Sequence, residues 1–285
     1  MKKYLPYLYI LIGGTLWGLI GLFNRRLSAA ALSAQSIVVV RNLGGMAVMT
    51  LLFAVFDRSV FKIRAKHLPY FFGTGVVSVL IFTLCYFRCQ QLCSLAVAAI
   101  LLYTAPAFVV LLSAILFKDP ITKKKLLALV IAFLGCTFVS GIWSGGVTVT
   151  GTGLFLGIGS GFFYGLYSIF ARYALRYYKP LTVTYYTFVF AGISSLVVAR
   201  PAEMAALVRP DLALTALGLV VISTVLPYIF YTSGLAKVDS GRASIIASVE
   251  PVVAALVGVI AFQEPMGLMV ALGLGCILTT VYILR

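Results

Sequence analysis

YTAPAFVVLLSAILFKDP, Tyr103 to Pro120, has a second copy in SVEPVVAALVGVIAFQEP, Ser248 to Pro265. Each copy carries a proline inside an apolar run and ends on an acid–proline pair, Asp119-Pro120 and Glu264-Pro265. Pro106 and Pro120 are 14 residues apart, as are Pro251 and Pro265, and the copies are offset by 145 residues in a chain of 285. A gapless offset that long reads as a tandem duplication. It divides the chain into two units, 1–145 and 146–285. The match extends outward at the same offset: Gly73 meets Gly218, Ser78 meets Ser223 and Tyr86 meets Tyr231. Near the start of each unit, Gly14-Thr15-Leu16-Trp17-Gly18 aligns with Gly161-Phe162-Phe163-Tyr164-Gly165 at an offset of 147.

The solvent follows from composition. Hydrophobic residues make up 62% of the chain and charged residues 10%, whereas a soluble domain is about one quarter charged. One bilayer crossing takes about 20 apolar residues. Ten apolar runs are present, at 7–23, 33–56, 68–90, 95–117, 124–142, 151–171, 180–199, 211–235, 242–262 and 266–284. Short connections join them, such as Ser144-Gly145-Gly146. The expected fold is an all-α integral membrane protein of ten transmembrane helices. Lys2 and Lys3 precede the first run as in a signal peptide, but no small-residue cleavage site follows, so the run reads as a retained helix.

The net charge of +15 is explained by topology rather than by nucleic acid. Sixteen Lys and Arg fall on one side: Lys2, Lys3, Arg58, Lys62, Arg64, Lys66, Lys118, Lys123, Lys124, Lys125, Arg172, Arg176, Lys179, Lys237, Arg242 and Arg285. Five fall on the other: Arg25, Arg26, Arg88, Arg200 and Arg209. Arg41, inside a run, completes the 22. The positive-inside rule then places both termini in the cytoplasm. Five helices per unit is an odd number, so the second unit enters the membrane from the opposite face. That makes an inverted repeat, an architecture of secondary transporters that alternate between two asymmetric states.

Candidate functional residues follow from the same frame. Pro106 and Pro251 each remove a backbone hydrogen bond and free the carbonyl four residues back, Leu102 or Ala247. As a symmetric pair they read as hinges, against a fixed kink that only shapes packing. Glu250, where the first unit has Ala105, is an acid within an apolar run and by default a functional group. It suits a cation, an amine or a coupling proton. Arg41 is its candidate charge partner, or a clamp for a substrate carboxylate. Trp17, Tyr86, Tyr164 and Tyr231 occupy symmetric mid-run positions. With Tyr103, Tyr228, Ser78 and Ser223 they make planar walls with a few hydroxyls, suited to a small amphipathic molecule. For each of them core packing is the competing role. Asp119-Pro120 and Glu264-Pro265 read as turns that start the next element. Gly13, Gly14, Gly18 and Gly21, with Gly157, Gly159, Gly161 and Gly165, permit close helix approach.

Five cysteines, Cys85, Cys89, Cys93, Cys136 and Cys276, are an odd number within apolar runs and read as packing residues rather than a disulfide framework. Cys85, Cys89 and Cys93 share a helical face, yet the lone histidine, His67, lies in a basic loop, and no metal site or cofactor is expected. No nucleotide-binding loop and no general-base histidine within a run is present, so enzyme chemistry is not expected either.

TLWGLIGLFNR in the first run, VVVRNL in the second and the two proline stretches together resemble the EamA family of the drug/metabolite transporter superfamily. The resemblance spans the chain in two copies. It implies a central cavity bordered by the third, fourth, eighth and ninth helices and parts of the first and sixth. It also implies export of metabolites, amino acids among them, or of drugs across the bacterial inner membrane. Arg88 to Ser94, RCQQLCS, departs from the pattern in being more polar and cysteine-rich. The reading is a secondary transporter that exports a small amphipathic metabolite, amino acids or aromatic compounds first, by alternating access, with a broad-specificity cationic drug exporter and a non-transporting membrane structural or assembly factor as alternatives. Its expected partners are a small-molecule substrate, the bilayer and protons, with no nucleic acid. The expected assembly is a monomer or a weak dimer.

Overall fold

The computed structural model describes residues 4–144, 148–263 and 266–284. Lys2, Lys3, the Gly145-Gly146 turn, the Glu264-Pro265 pair and Arg285 lie outside the described residues. All regular structure among the described residues is helical, and apart from short helical turns such as Arg58–Phe61 and Pro201–Met204 it consists of α1 (Leu5–Ala29), α2 (Ala34–Phe56), α3 (Ala65–Leu92), α4 (Leu95–Phe117), α5 (Lys123–Val139), α6 (Gly151–Ala174), α7 (Pro180–Val198), α8 (Pro210–Leu235), α9 (Ser240–Phe262) and α10 (Leu268–Leu284). Eight are long and apolar enough to cross a membrane. The other two, α5 and α10, have 17 residues each, and they pack along one another.

Local chemistry fixes the helix ends. Ser33, Thr122, Thr150 and Asp239 accept hydrogen bonds from backbone N–H groups three residues on, at the starts of α2, α5, α6 and α9, each satisfying a donor the helix cannot. Pro180 and Pro210 stand at the first positions of α7 and α8, where a missing N–H costs nothing. The first helix runs past the expected residue 23 to Ala29, carrying Arg25 and Arg26 beyond the apolar run.

The two proline stretches fold alike. In α4, helix Leu95–Leu102 stops, Tyr103 and Thr104 form a turn, and helix Ala105–Phe117 resumes with Pro106 in its first turn. In α9, helix Ser240–Ala247 stops, Ser248 and Val249 form the turn, and helix Glu250–Phe262 resumes with Pro251. Both copies end on a residue of positive φ, Lys118 at 58° and Gln263 at 56°. The break thus precedes the proline, which begins the second segment instead of interrupting a continuous helix. A second matched irregularity is a π-helical stretch in α3, Gly73–Ile81, and in α8, Val221–Val225.

Packing exchanges the two units. α1 lies against α8 and α9, while α6 lies against α3 and α4; α2 pairs with α7 and α5 with α10. Glycines make the close crossings. A β-carbon on Gly14 would stand 3.0 Å from the Ala247 carbonyl oxygen, and one on Gly161 would stand 3.1 Å from that of Leu102. These are the two carbonyls that Pro251 and Pro106 cannot serve. Each faces the bare Cα of a glycine on the neighbouring helix, a geometry that permits weak Cα–H···O contacts. Further along, Gly18 faces the Glu250 carbonyl and Gly165 that of Ala105. Cys89 and Cys93 pack against Gly157 and Gly153 of α6, and all five cysteines are free thiols.

Cross-links define two ends. At one, Arg172 is hydrogen-bonded to both carboxylate oxygens of Asp119, Lys125 pairs with Asp239 at 2.9 Å, and Arg242 donates to the Tyr7 hydroxyl at 3.3 Å. The Tyr178 hydroxyl meets Arg64 N–H and His67 Nδ1. This end gathers most of the basic loop residues. At the other end the main tie is Glu203, which accepts from Ser33 N–H at 2.8 Å, Ser36 Oγ at 2.7 Å and Arg200 at 3.1 Å. Those donors, the serines first, hold its carboxyl down at about 2.

Candidate functional site

Between the exchanged units lie two adjoining cavities. The larger has a volume of about 360 Å³ and extends from Glu250 to Ser28, Ala34 and Gln90, at the less basic end. The smaller, about 30 Å³, lies towards the basic end beside Ser168 and Ser244. Trp17, Tyr103, Tyr164, Tyr228 and Glu250 line both and form the waist of one chamber. Ser78, Tyr231 and Pro106 line only the smaller cavity; Tyr86 and Arg41 line only the larger. Ser223 and Pro251 line neither. Ser223 is fully buried with no partner for its hydroxyl, and Pro251 borders a separate groove on the outer side of α9.

The aromatic wall is interlocked. The Trp17 ring meets Tyr228 edge-on at 5.1 Å and Tyr231 at 5.2 Å. Tyr228 in turn meets Tyr167 at 5.1 Å and Phe188 at 5.0 Å, both edge-on. Such pairs add to the stabilisation from burial and hold the rings in place. Below them, Tyr167 and Thr232 share a hydrogen bond of 2.6 Å, and Ser168 and Tyr231 one of 2.7 Å. These bonds join α6 to α8 and close the chamber towards the basic end.

Charge enters at two points. The start of the second α9 segment carries Glu250 into the waist, where its Oε2 accepts from the Tyr164 hydroxyl at 3.3 Å. Arg41, on α2, faces the larger cavity and donates from Nε to Thr224 at 3.2 Å. The two form no ion pair with each other. A charge within a membrane is expensive, so these opposite charges, which line one cavity without forming an ion pair, single it out as the candidate site.

Four contributors lay outside the sequence reading. Asn42 is 3% exposed, lines the larger cavity, and its Nδ2 has no partner; Asn24 lines the same cavity with Oδ1 unpartnered. Tyr167 and Ser168 complete the α6 face of the smaller cavity. The signals were present: Tyr167 and Ser168 follow Tyr164 at i+3 and i+4, and Asn24 follows Trp17 at i+7, spacings that keep residues on one helical face. Among the described residues no cluster of His, Cys, Asp or Glu is arranged to hold a metal ion.

An all-helical chain with eight apolar helices of membrane length, folded around a chamber lined by aromatic rings and two charged side chains, is a multi-pass membrane protein. Residues 5–141, and again 151–285, match the EamA-like transporter family, and the chain belongs to that family. An uncharacterized transporter of Archaeoglobus fulgidus is 30% identical over 99% of this chain and 98% of its own. A second from the same organism is 31% identical over 70% of each chain, and the uncharacterized transporter YyaM of Bacillus subtilis is 23% identical over 75% of this chain and 72% of its own. A solved crystal structure superposes with a TM-score of 0.80 at 16% identity, covering 98% of this chain and 95% of the other, which shows the shared fold. The protein is therefore a membrane transporter rather than an enzyme.

Proposed function

We propose that the chain is a secondary transporter that works by alternating access and exports a small amphipathic metabolite, an amino acid before other candidates. Ten helices cross the plasma membrane as two inverted five-helix units, 1–145 and 146–285, with both termini cytoplasmic. Support comes from the two family matches, the identical breaks in α4 and α9, the exchanged packing, and the gathering of cations at one end. In the conformation described, the basic, cytoplasmic end is shut by the Tyr167–Thr232 and Ser168–Tyr231 bonds and by the ion pairs beyond them, while the chamber extends towards the opposite end.

The observation that carries the substrate class is the separation of Arg41 and Glu250 across one cavity. Arg41 leaves its guanidinium nitrogens other than Nε for a carboxylate, with Asn42 Nδ2 beside it in sequence as a further donor. Glu250 and the aromatic waist receive an ammonium group. A zwitterion satisfies both charges at once, which neither an amine nor an acid alone does. The test is counterflow in proteoliposomes loaded with individual amino acids. Exchange of at least one amino acid is expected, together with its loss in both Glu250→Gln and Arg41→Gln. If no amino acid exchanges and an imposed pH gradient drives no flux, the reading fails.

A cationic-drug exporter is the second reading, favoured by the Trp17–Tyr228–Tyr231 wall beside Glu250. It separates cleanly: a cationic substrate survives Arg41→Gln and is lost in Glu250→Gln, whereas a zwitterion is lost in both.

A further inference from the structure

On the outer side of α9, a groove of about 250 Å³ lies between α4, α5, α9 and α10. Ala99, Cys136, Pro251 and Ala255 line it, with Tyr103 and Ala254. The surface beyond is apolar: Leu95, one turn from Ala99, is 67% exposed, and Ile260, next to the lining residue Val259, is 79% exposed. In a membrane such a surface faces lipid tails. The groove is therefore continuous with the hydrocarbon of the bilayer rather than with water.

Its inner wall is thin. Tyr103 and Ala254 line both the groove and the larger cavity, and Tyr103 also lines the smaller cavity. Ala254 offers only a methyl group as a barrier, which leaves the Tyr103 ring as the partition. Tyr103 stands in the turn between the two segments of α4, the irregular part of that helix. No hydrogen bond or ring–ring contact holds it among the described residues. The other waist aromatics are each anchored: Trp17, Tyr164 and Tyr228 by neighbouring rings, and Tyr164 also by Glu250. A single unanchored ring, on a helix break, between a lipid-facing groove and the chamber that holds Glu250 is the geometry of a gate.

We infer that the groove is a lateral portal through which an amphipathic solute dissolved in the bilayer reaches the chamber, and that Tyr103 is its gate. The solute's apolar part occupies the groove while its charged head meets Glu250. This route rests on reading the chamber as the transport site, and it serves the cationic amphipath of the second reading, drawn from the lipid phase, since a zwitterionic amino acid does not enter hydrocarbon and reaches the chamber from water.

The sequence contains two tryptophans, Trp17 and Trp143, so Trp143→Phe leaves Trp17 as the sole reporter inside the chamber. The protein is reconstituted with phosphatidylcholine whose acyl chains carry bromine, and the quenching of Trp17 emission is measured. Tyr103→Ala is expected to raise that quenching about twofold, because an apolar opening admits hydrocarbon chains. Adding Ala255→Phe, which plugs the groove without touching the chamber, restores the original level. Acrylamide added from water probes the chamber's aqueous mouth, and its quenching is unchanged by Ala255→Phe. Tyr103→Leu serves should Tyr103→Ala not fold, and gives a smaller rise. Equal bromine quenching with Tyr103, Leu and Ala at this position overturns the portal, as does a rise that Ala255→Phe leaves in place. The assay needs no substrate, so its failure leaves the amino-acid reading standing, and failure of counterflow leaves the portal standing.

Discussion

α4 and α9 are two versions of one broken helix. They share the turn, the proline at the start of the second segment, and the left-handed residue at the end. An arginine from the other unit lies over the terminal phenylalanine of each: Arg172 is 4.2 Å from the Phe117 ring and Arg25 is 4.1 Å from the Phe262 ring. They differ in charge. Where α4 begins at Ser94, whose hydroxyl makes no hydrogen bond, α9 begins at Asp239, which caps its own helix and pairs with Lys125 and Arg242. Where the second segment of α4 begins with Ala105, that of α9 begins with Glu250. The backbone device is therefore duplicated while the charged chemistry belongs to one copy. On the function proposed here, bending depends on what the copies share, and ligand recognition on what they do not.

Substitutions that level the two copies sharpen this contrast. Asp239→Ala should have the largest effect. It leaves the Lys125 ammonium, whose side chain is 3% exposed, with the Pro120 carbonyl as its partner but no counter-charge, and removes a cap, for a loss on the order of 3 kcal/mol. Thermal unfolding in detergent reads it, and an unchanged midpoint would show that the pair is dispensable. Next comes Gly18→Ala, whose β-carbon would lie 2.7 Å from the Glu250 carbonyl and 2.5 Å from Val253 Cβ. Overpacking there should cost about 2 kcal/mol. The equivalent Gly165→Ala, at 3.2 Å from the Ala105 carbonyl and 3.0 Å from a Val109 methyl, should cost less than about 1 kcal/mol. Similar losses at the two sites would mean that α1–α9 and α6–α4 are equally tight.

Glu250→Ala gives α9 the residue that α4 has. Removing a half-buried carboxylate that forms no close ion pair should change stability by no more than about 1 kcal/mol, while ligand binding is expected to disappear. A protein that unfolds on this change would make Glu250 a structural group. The smallest effect is expected at Ser94→Ala, within about 0.5 kcal/mol, because its hydroxyl makes no hydrogen bond to lose.

The fold was largely legible because the bilayer leaves few solutions for ten apolar runs, and because a duplication shows itself at a fixed offset. Helix ends were less so: Arg25 and Arg26 continue α1 past its apolar run, since a helix needs backbone partners rather than apolar side chains. Within the site, Ser78 and Tyr86 were grouped in one wall, as a helix of period 3.6 would allow for residues two turns apart. The π-helical stretch in α3 shifts that phase and delivers them to different cavities. The matching stretch in α8 contains Ser223, which points away from the chamber that Tyr231 lines. Asn24 and Asn42 are common polar residues until burial shows that one atom of each lacks a partner.

The account turns on Glu250 and Arg41 holding opposite ends of one ligand. The most direct measurement is the thermal shift of the purified protein with amino acids, and with matched analogues that carry only the amine or only the carboxylate, since a ligand bound to the folded state raises its stability by mass action. The account predicts a rise for at least one amino acid, a smaller rise or none for either analogue, and loss of the rise in both Glu250→Gln and Arg41→Gln. A ligand that stabilises the native protein and both variants equally would contradict it.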